Sequence, residues 1–169
     1  MIWIFKTFII AELSREIVRE CTARSVKIST AESCTGGMIS GAVTSVSGSS
    51  AVIELGVCSY SNRIKHEILH VPAEVLERFT EYSVECAAEM AKGVMELSGA
   101  DYGISTTGVA GPTGGSAEHP VGEVCIAVSG RNGCRSERFL FAQGSVDREV
   151  IRALAAEKAL SMLLCEIKK

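Results

Sequence analysis

Three segments of this 169-residue chain carry side chains suited to hydrolytic chemistry. The first is Thr30-Ala31-Glu32-Ser33-Cys34-Thr35-Gly36-Gly37. A β-prone run ends there and a stretch of small residues suited to a helix follows, so Ser33 and Thr35 fall at a strand-to-helix turn, where α/β proteins place ligand sites. A hydroxyl at that turn lies near the unpaired amides that open a helix, which can stabilise an oxyanion. The same hydroxyl can equally be a plain helix cap. The second segment is Tyr60-Ser61-Asn62-Arg63-Ile64-Lys65. Serine is a poor nucleophile without a base, and Lys65 can be that base if it is buried. An isolated lysine is otherwise a solvated surface group, and Tyr60 reads equally as a half-buried strand aromatic. The third segment, Thr107-Gly108-Val109-Ala110-Gly111-Pro112-Thr113-Gly114-Gly115-Ser116, follows a strand with enough glycine for backbone to approach a ligand closely. It is either that or a long turn. It lacks both Gly-Lys-Ser/Thr and Gly-x-Gly-x-x-Gly, so it is neither a Walker loop nor a Rossmann fingerprint.

Other chemistries find less support. His66, His70 and His119 make a weak serine–histidine case, and without a His-Glu-x-x-His pattern the pair His66 and His70 reads as surface. No His, Cys, Asp and Glu cluster has metal-ligand spacing, so neither a metal nor a cofactor is expected. The seven cysteines are odd in number and form no Cys-x-x-Cys pair, which reads as free buried thiols in a reducing cytoplasm. A net charge of -3 gives nucleic-acid binding no electrostatic support, while a glycine loop can still hold a small anion. Met1 to Ile10 is apolar but interrupted by Lys6, and it falls far short of the ~20 residues a spanning helix needs. No signal peptide or membrane association is expected. The segment reads as an added edge strand, a partner-facing segment or an upstream-misassigned start.

The elements that must position these residues follow from hydrophobic periodicity. Ile10, Leu13, Ile17, Val18 and Cys21 mark one helix face. Val26 to Thr30 predicts a strand, Gly36 to Val46 a tightly packed helix, and Val52 to Tyr60 a second strand. Ile64, Ile68 and Leu69 predict a short helix, Pro72 begins another, and Ser83 to Ser98 is amphipathic. Tyr102 to Thr107 predicts a strand entering the glycine loop Gly108 to Gly115. Gly122 to Ser129 and Arg135 to Ala142 flank Asn132-Gly133, a signal for a tight hairpin. A last helix runs from about Asp147 to Ile167. Strands that first alternate with helices and then pair imply one domain, residues 1–169, with a mixed sheet covered by helices on both faces.

Taken together, AESCTGG (31–37), GSSAVIELGVCSYSNRIK (48–65), SVECAAEMA (83–91), TTGVAGPTGGSAEHPVGEV (106–124) and DREVIR (147–152) resemble the C-terminal domain of the competence- and damage-inducible CinA proteins, the nicotinamide-nucleotide amidase family. The resemblance runs from about residue 10 to 165. It implies a three-layer α/β/α sandwich with a mixed, mostly parallel sheet and a C-terminal β-hairpin plus helix. It also implies hydrolysis of nicotinamide mononucleotide to nicotinic acid mononucleotide and ammonia. By position Ser33 matches the family's nucleophile, Lys65 its base and Tyr60 the assisting hydroxyl. Thr107, Gly108, Gly111, Gly114 and Gly115 match its substrate-lining segment. Thr35, Gly36 and Gly37 are expected to bind substrate too, and Arg148 and Arg152 match family arginines with a binding or structural role. Thr113 stands where the family often has Asp and His119 where it often has Lys. Ser145-Val146 has the look of an insertion.

The expected mechanism has neutral Lys65 take the Ser33 proton, assisted by Tyr60 and with Arg63 as a nearby cation that lowers the Lys65 pKa. Amides from Cys34 to Gly37 or from the glycine loop would hold the oxyanion. A non-catalytic nucleotide-binding module and a Cys34 nucleophile are the alternatives. The expected partners are a small nucleotide and further copies of the chain.

Overall fold

A computed structural model describes residues 2–141 and 147–169, with the backbone alone described over 2–7. The Ser145-Val146 insertion lies outside the described residues. Helix α1 (Ile2–Arg24) begins earlier than its buried stripe of Ile10, Ile17, Val18 and Cys21. The segment 2–10, for which an edge strand was one expectation, is helical. Once the stripe has nucleated a helix, a preceding run free of glycine and proline extends it one hydrogen bond per residue. Among the described residues no helix is long and apolar enough to cross a membrane.

Strand β1 (Ile28–Glu32) starts two residues later than the β-branched pattern predicts. The Val26 amide bonds to the Cys21 carbonyl to close α1, with Ser25 left-handed at φ 53°, so these residues belong to the turn. Helix α2 (Met38–Thr44), β2 (Ile53–Cys58), α3 (Asn62–Leu69), α4 (Ala73–Phe79) and α5 (Val84–Ser98) follow. Ser61 and Ser83 cap α3 and α5, each accepting from the amide three residues on. Then come β3 (Tyr102–Gly108), β4 (Glu123–Gly130), β5 (Gly133–Leu140) and α6 (Arg148–Ile167). The hairpin turn is Arg131-Asn132, one residue before the expected Asn132-Gly133. Gly133 instead takes φ 103° as the first residue of β5, opposite Gly130.

The sheet order is β2-β1-β3-β4-β5. β1 pairs in parallel with β2 and β3, and the β3–β4 and β4–β5 pairs are antiparallel, so β4 alone runs against the others. The result is the expected mixed α/β/α arrangement. Pleating sends alternate side chains to opposite faces. Ile28, Ile104, Val124, Ile126 and Val128 pack with α1, α2 and α6, whereas Ala31, Cys125 and Ala127 face the α5 layer. On that second side a Cβ at Gly93 would lie 1.9 Å from the Leu69 carbonyl oxygen. Only glycine lets the end of α3 rest on α5 at this distance, and Lys65, one turn before Leu69, shares the buried face of α3.

The β1–α2 connection is organised by Glu32, which is 0% exposed. Its Oε2 accepts from Thr35 Oγ1 (2.7 Å), Gly37 N (3.0 Å) and Ile39 N (3.0 Å). Its Oε1 accepts from Ser40 N (2.8 Å) and Ser40 Oγ (2.6 Å). A side-chain carboxylate here satisfies the orphan amides of a helix start. Gly37, at φ 90°, turns the chain tightly enough for those amides to converge. Glu32→Gln puts an NH2 donor against other donors and leaves buried amides unpaired, which costs about 1–3 kcal/mol for each group. The variant is expected to lose about 2–4 kcal/mol in urea unfolding. A change below about 0.5 kcal/mol, ordinary for a surface site, would show that the carboxylate does not hold this turn.

Candidate active site

Ser33 follows β1, Tyr60 follows β2 and Gly108 ends β3, so the chain ends of three parallel strands open onto one cleft of about 510 Å³. The edge is where open α/β sheets bind ligands. Ser33, Lys65 and Tyr60 all line it, as do Gly108, Gly111, Gly114 and Arg148. Lys65 Nζ lies 3.4 Å from Ser33 Oγ. The lysine is 1% exposed, and burial lowers its pKa against the opposing pull of Cys86, Glu81 and Cys34. Arg63, expected to help, does not: it pairs with Glu67 on the exposed side of α3. Burial is the source of the shift.

Tyr60 is placed differently from expectation. It is 64% exposed, and its hydroxyl accepts from Arg148 at 2.9 Å rather than bonding to Ser33 or Lys65. Arg148 also donates to the Gly111 carbonyl at 2.7 Å, so one guanidinium ties α6 to the glycine loop and to the end of β2.

Several expected substrate residues do not line the cleft, Gly36 and Gly115 being exposed elsewhere. Thr35 Oγ1 is buried between Glu32 and Thr106. Gly36 packs against Arg152 and Gly37 near Cys58. Thr107 donates to the Glu81 carbonyl, and Gly115 packs on Val121. Arg152 donates from Nε to the Cys34 carbonyl at 3.1 Å and from a terminal nitrogen to the Thr35 carbonyl at 2.7 Å. It therefore sets the peptide orientation beside Ser33 and does not line the cleft. The amides that open α2 are engaged, those of Gly37, Ile39 and Ser40 by Glu32 and that of Met38 by the Thr35 carbonyl.

Cys34, Ser61, Asn62, Glu81, Tyr82, Val109, Ala110 and Thr113 complete the lining. The sequence reading did not single out Glu81 and Tyr82. They precede a helix cap with no local signal, and Thr107 joins their segment to β3 only in the folded chain. His66 and His70 are exposed, as expected. His119 bonds to Glu123 (2.8 Å) and Thr80 (3.2 Å), apart from the cleft. All seven cysteines are free, but Cys58, Cys134 and Cys165 are exposed rather than buried. Among the described residues no three His, Cys, Asp or Glu side chains converge as metal ligands.

Fold and cleft together define a class of α/β/α proteins with a buried serine–lysine pair at the ends of parallel strands. The CinA C-terminal domain model matches residues 10–167, and the chain belongs to that family. It is 44% identical over 160 residues to the nicotinamide-nucleotide amidohydrolase PncC of Enterobacter agglomerans, covering 94% of this chain and 95% of that one. It is 46% identical over 140 residues to a CinA-like protein of Geotalea daltonii, covering 83% of this chain but only 33% of the relative. The chain thus spans about a third of such longer relatives. The crystal structure of competence/damage inducible protein CihA from Agrobacterium tumefaciens superposes with a TM-score of 0.90 at 41% identity, covering 95% of this chain and 96% of that one.

Because burial lowers the Lys65 pKa, the unfolded chain binds the extra proton between that lowered value and the ordinary lysine value of about 10.4. Stability through this group therefore rises with pH across that window. Lys65→Met keeps an unbranched chain without the charge. It is expected to raise the unfolding temperature, most at and below the low end of the window and progressively less towards pH of about 10. A gain that does not change with pH would contradict a lysine destabilised in its charged form.

Proposed function

We propose that this chain is a nicotinamide-nucleotide amidase that hydrolyses nicotinamide mononucleotide to nicotinic acid mononucleotide and ammonia through a Ser33 acyl-enzyme. The observation that carries the reading is the buried Lys65 Nζ beside Ser33 Oγ at 3.4 Å, in a cleft of nucleotide size. The likeness to the PncC amidohydrolase along nearly its whole length supports the substrate class.

Neutral Lys65 takes the Ser33 proton as Oγ attacks the carboxamide carbon. The resulting oxyanion needs donors that are not already engaged. With the Gly37, Ile39 and Ser40 amides on Glu32, wall amides such as those of Cys34, Ala110 and Gly111 take that part. Lys65 returns the proton to the amide nitrogen, the C–N bond breaks and ammonia leaves. Water then attacks the acyl carbon, Lys65 accepts its proton, and the acid is released with Ser33 restored. Tyr60 acts through Arg148 in this arrangement, as a positioning hydroxyl at the mouth of the cleft. Cys34 is a poorer nucleophile, because burial pushes its thiol up to about 12. Seven free thiols support a reducing, cytoplasmic setting, and association of like chains is proposed as well.

Ammonia release from purified protein with nicotinamide mononucleotide tests the reading. Ser33→Ala should abolish it and Cys34→Ala should keep most of it. Lys65→Arg should be nearly as damaging as Lys65→Ala, since arginine keeps the charge but cannot accept a proton at working pH. Binding without ammonia release would instead identify a nucleotide-binding module.

Among the described residues the cations lining the cleft are Lys65 and Arg148. With Lys65 neutral, Arg148 is the group for the 5′-phosphate. The mononucleotide should exceed nicotinamide riboside in kcat/KM by roughly 10²–10⁴-fold, the loss of about two charged hydrogen bonds. Arg148→Ala should remove most of that preference. Equal kcat/KM for the two compounds in the parent protein would show that the phosphate is not recognised.

A further inference from the structure

The cleft is lined by three ionisable groups of clear charge type among the described residues, Lys65, Arg148 and Glu81, and the mechanism gives work only to the first two. Glu81 is the only carboxylate on the wall among those residues, and its presence opposes the base, since an anion near Lys65 favours the protonated lysine. Yet it is held deliberately in place. Asn62 Nδ2 donates to its Oε2 at 3.2 Å, and Asn62 precedes Lys65 by three positions on the same face of α3. Thr107 Oγ1 donates to its main-chain carbonyl at 2.5 Å, pinning this stretch to β3. Burial pushes its carboxyl up, but hydrogen bonds from its own amide, Asn62 and Tyr82, with the nearby Lys65, outweigh that and hold it below its ordinary value.

We propose that Glu81 recognises the positive charge of an N-ribosylated nicotinamide ring, so that the cleft selects the oxidised pyridinium form of the nucleotide over its reduced, uncharged dihydropyridine form. This rests on the amidase reading. The ring is bonded directly to the carboxamide carbon that Ser33 attacks. In a reactive pose it must therefore sit beside Ser33 and Lys65, in the part of the cleft that Glu81 shares. The nucleotide is cationic at the ring and anionic at the phosphate. The cleft answers with a carboxylate near Lys65 and a guanidinium at the glycine loop.

Calorimetric binding of nicotinamide mononucleotide and its reduced form to the Ser33→Ala protein decides the matter without turnover. The oxidised form should bind about 5–10-fold more tightly, the size of one partly solvated charge pair. Glu81→Gln in the same background should abolish the preference and Glu81→Asp should retain much of it. Acting through Lys65, Glu81→Gln would instead favour the cationic ring, because a lysine more readily neutral repels it less, so loss of the preference reports the carboxylate itself. Equal binding of the two forms, binding of neither, a preference that survives Glu81→Gln, or equal losses in the Gln and Asp variants would overturn the proposal. Failure of the amidase reading shows separately, as no ammonia from the parent protein.

Discussion

A carboxylate buried among five hydrogen-bond donors is the interaction on which the site depends. Glu32 ends β1, and by drawing the amides of Gly37, Ile39 and Ser40 onto its two oxygens it fixes where α2 begins and at what angle. Ser33 is the next residue, and its own amide is bonded to the Thr106 carbonyl of β3. The Ser33 backbone is therefore held on one side by the sheet and on the other by the Glu32 knot. Arg152 adds the third restraint by holding the Cys34 and Thr35 carbonyls from α6. A position held this rigidly can present a hydroxyl without the entropy loss of ordering it on binding.

The same knot removes a familiar source of catalytic electrostatics. The N-terminus of a helix usually offers its amides to an anionic ligand, but here a protein carboxylate has taken them. In the proposed reaction, stabilisation of an oxyanion therefore falls to single amides on the cleft wall, and attraction of a phosphate to Arg148. Two charges of opposite sign, Arg148 and Glu81, line the cleft, and the proposed reading has them orient the ligand together.

Burial of Lys65 is the complementary constraint. A lysine 1% exposed is costly to keep charged, and the fold supports it because α3 lies directly on α5 at Gly93, with Leu69 and Val71 packed beneath. Some local stability is given up to hold a buried lysine whose pKa burial lowers, as is common where sites tune pKa values. The stabilising core lies largely on the other face, where α1, α2 and α6 pack over Ile28, Ile104 and Ile126.

Sequence alone determined the elements and their order, because apolar periodicity and cap residues act over a few neighbours. The stripe in α1, the amphipathic run of α5 and the β4–β5 hairpin were legible in that way, as were Ser33 and Lys65 as chemically suited residues at strand ends. The exact use of each polar group was not. Thr35, Gly36, Gly37 and Arg152 stand in the same motifs as the cleft residues, yet they serve the turn that holds Ser33. Glu32, central to that turn, carries no mark in the sequence beyond being a carboxylate before a glycine pair. Tyr60 meets Arg148, 88 positions away, and Glu81 enters the cleft only because Thr107 of β3 holds its carbonyl. Such roles depend on which distant donors and acceptors the sheet brings within about 3 Å, a short-range condition that local pattern does not encode. Tertiary structure alone decided which hydroxyls, amides and charges face the ligand and which are already engaged by the protein.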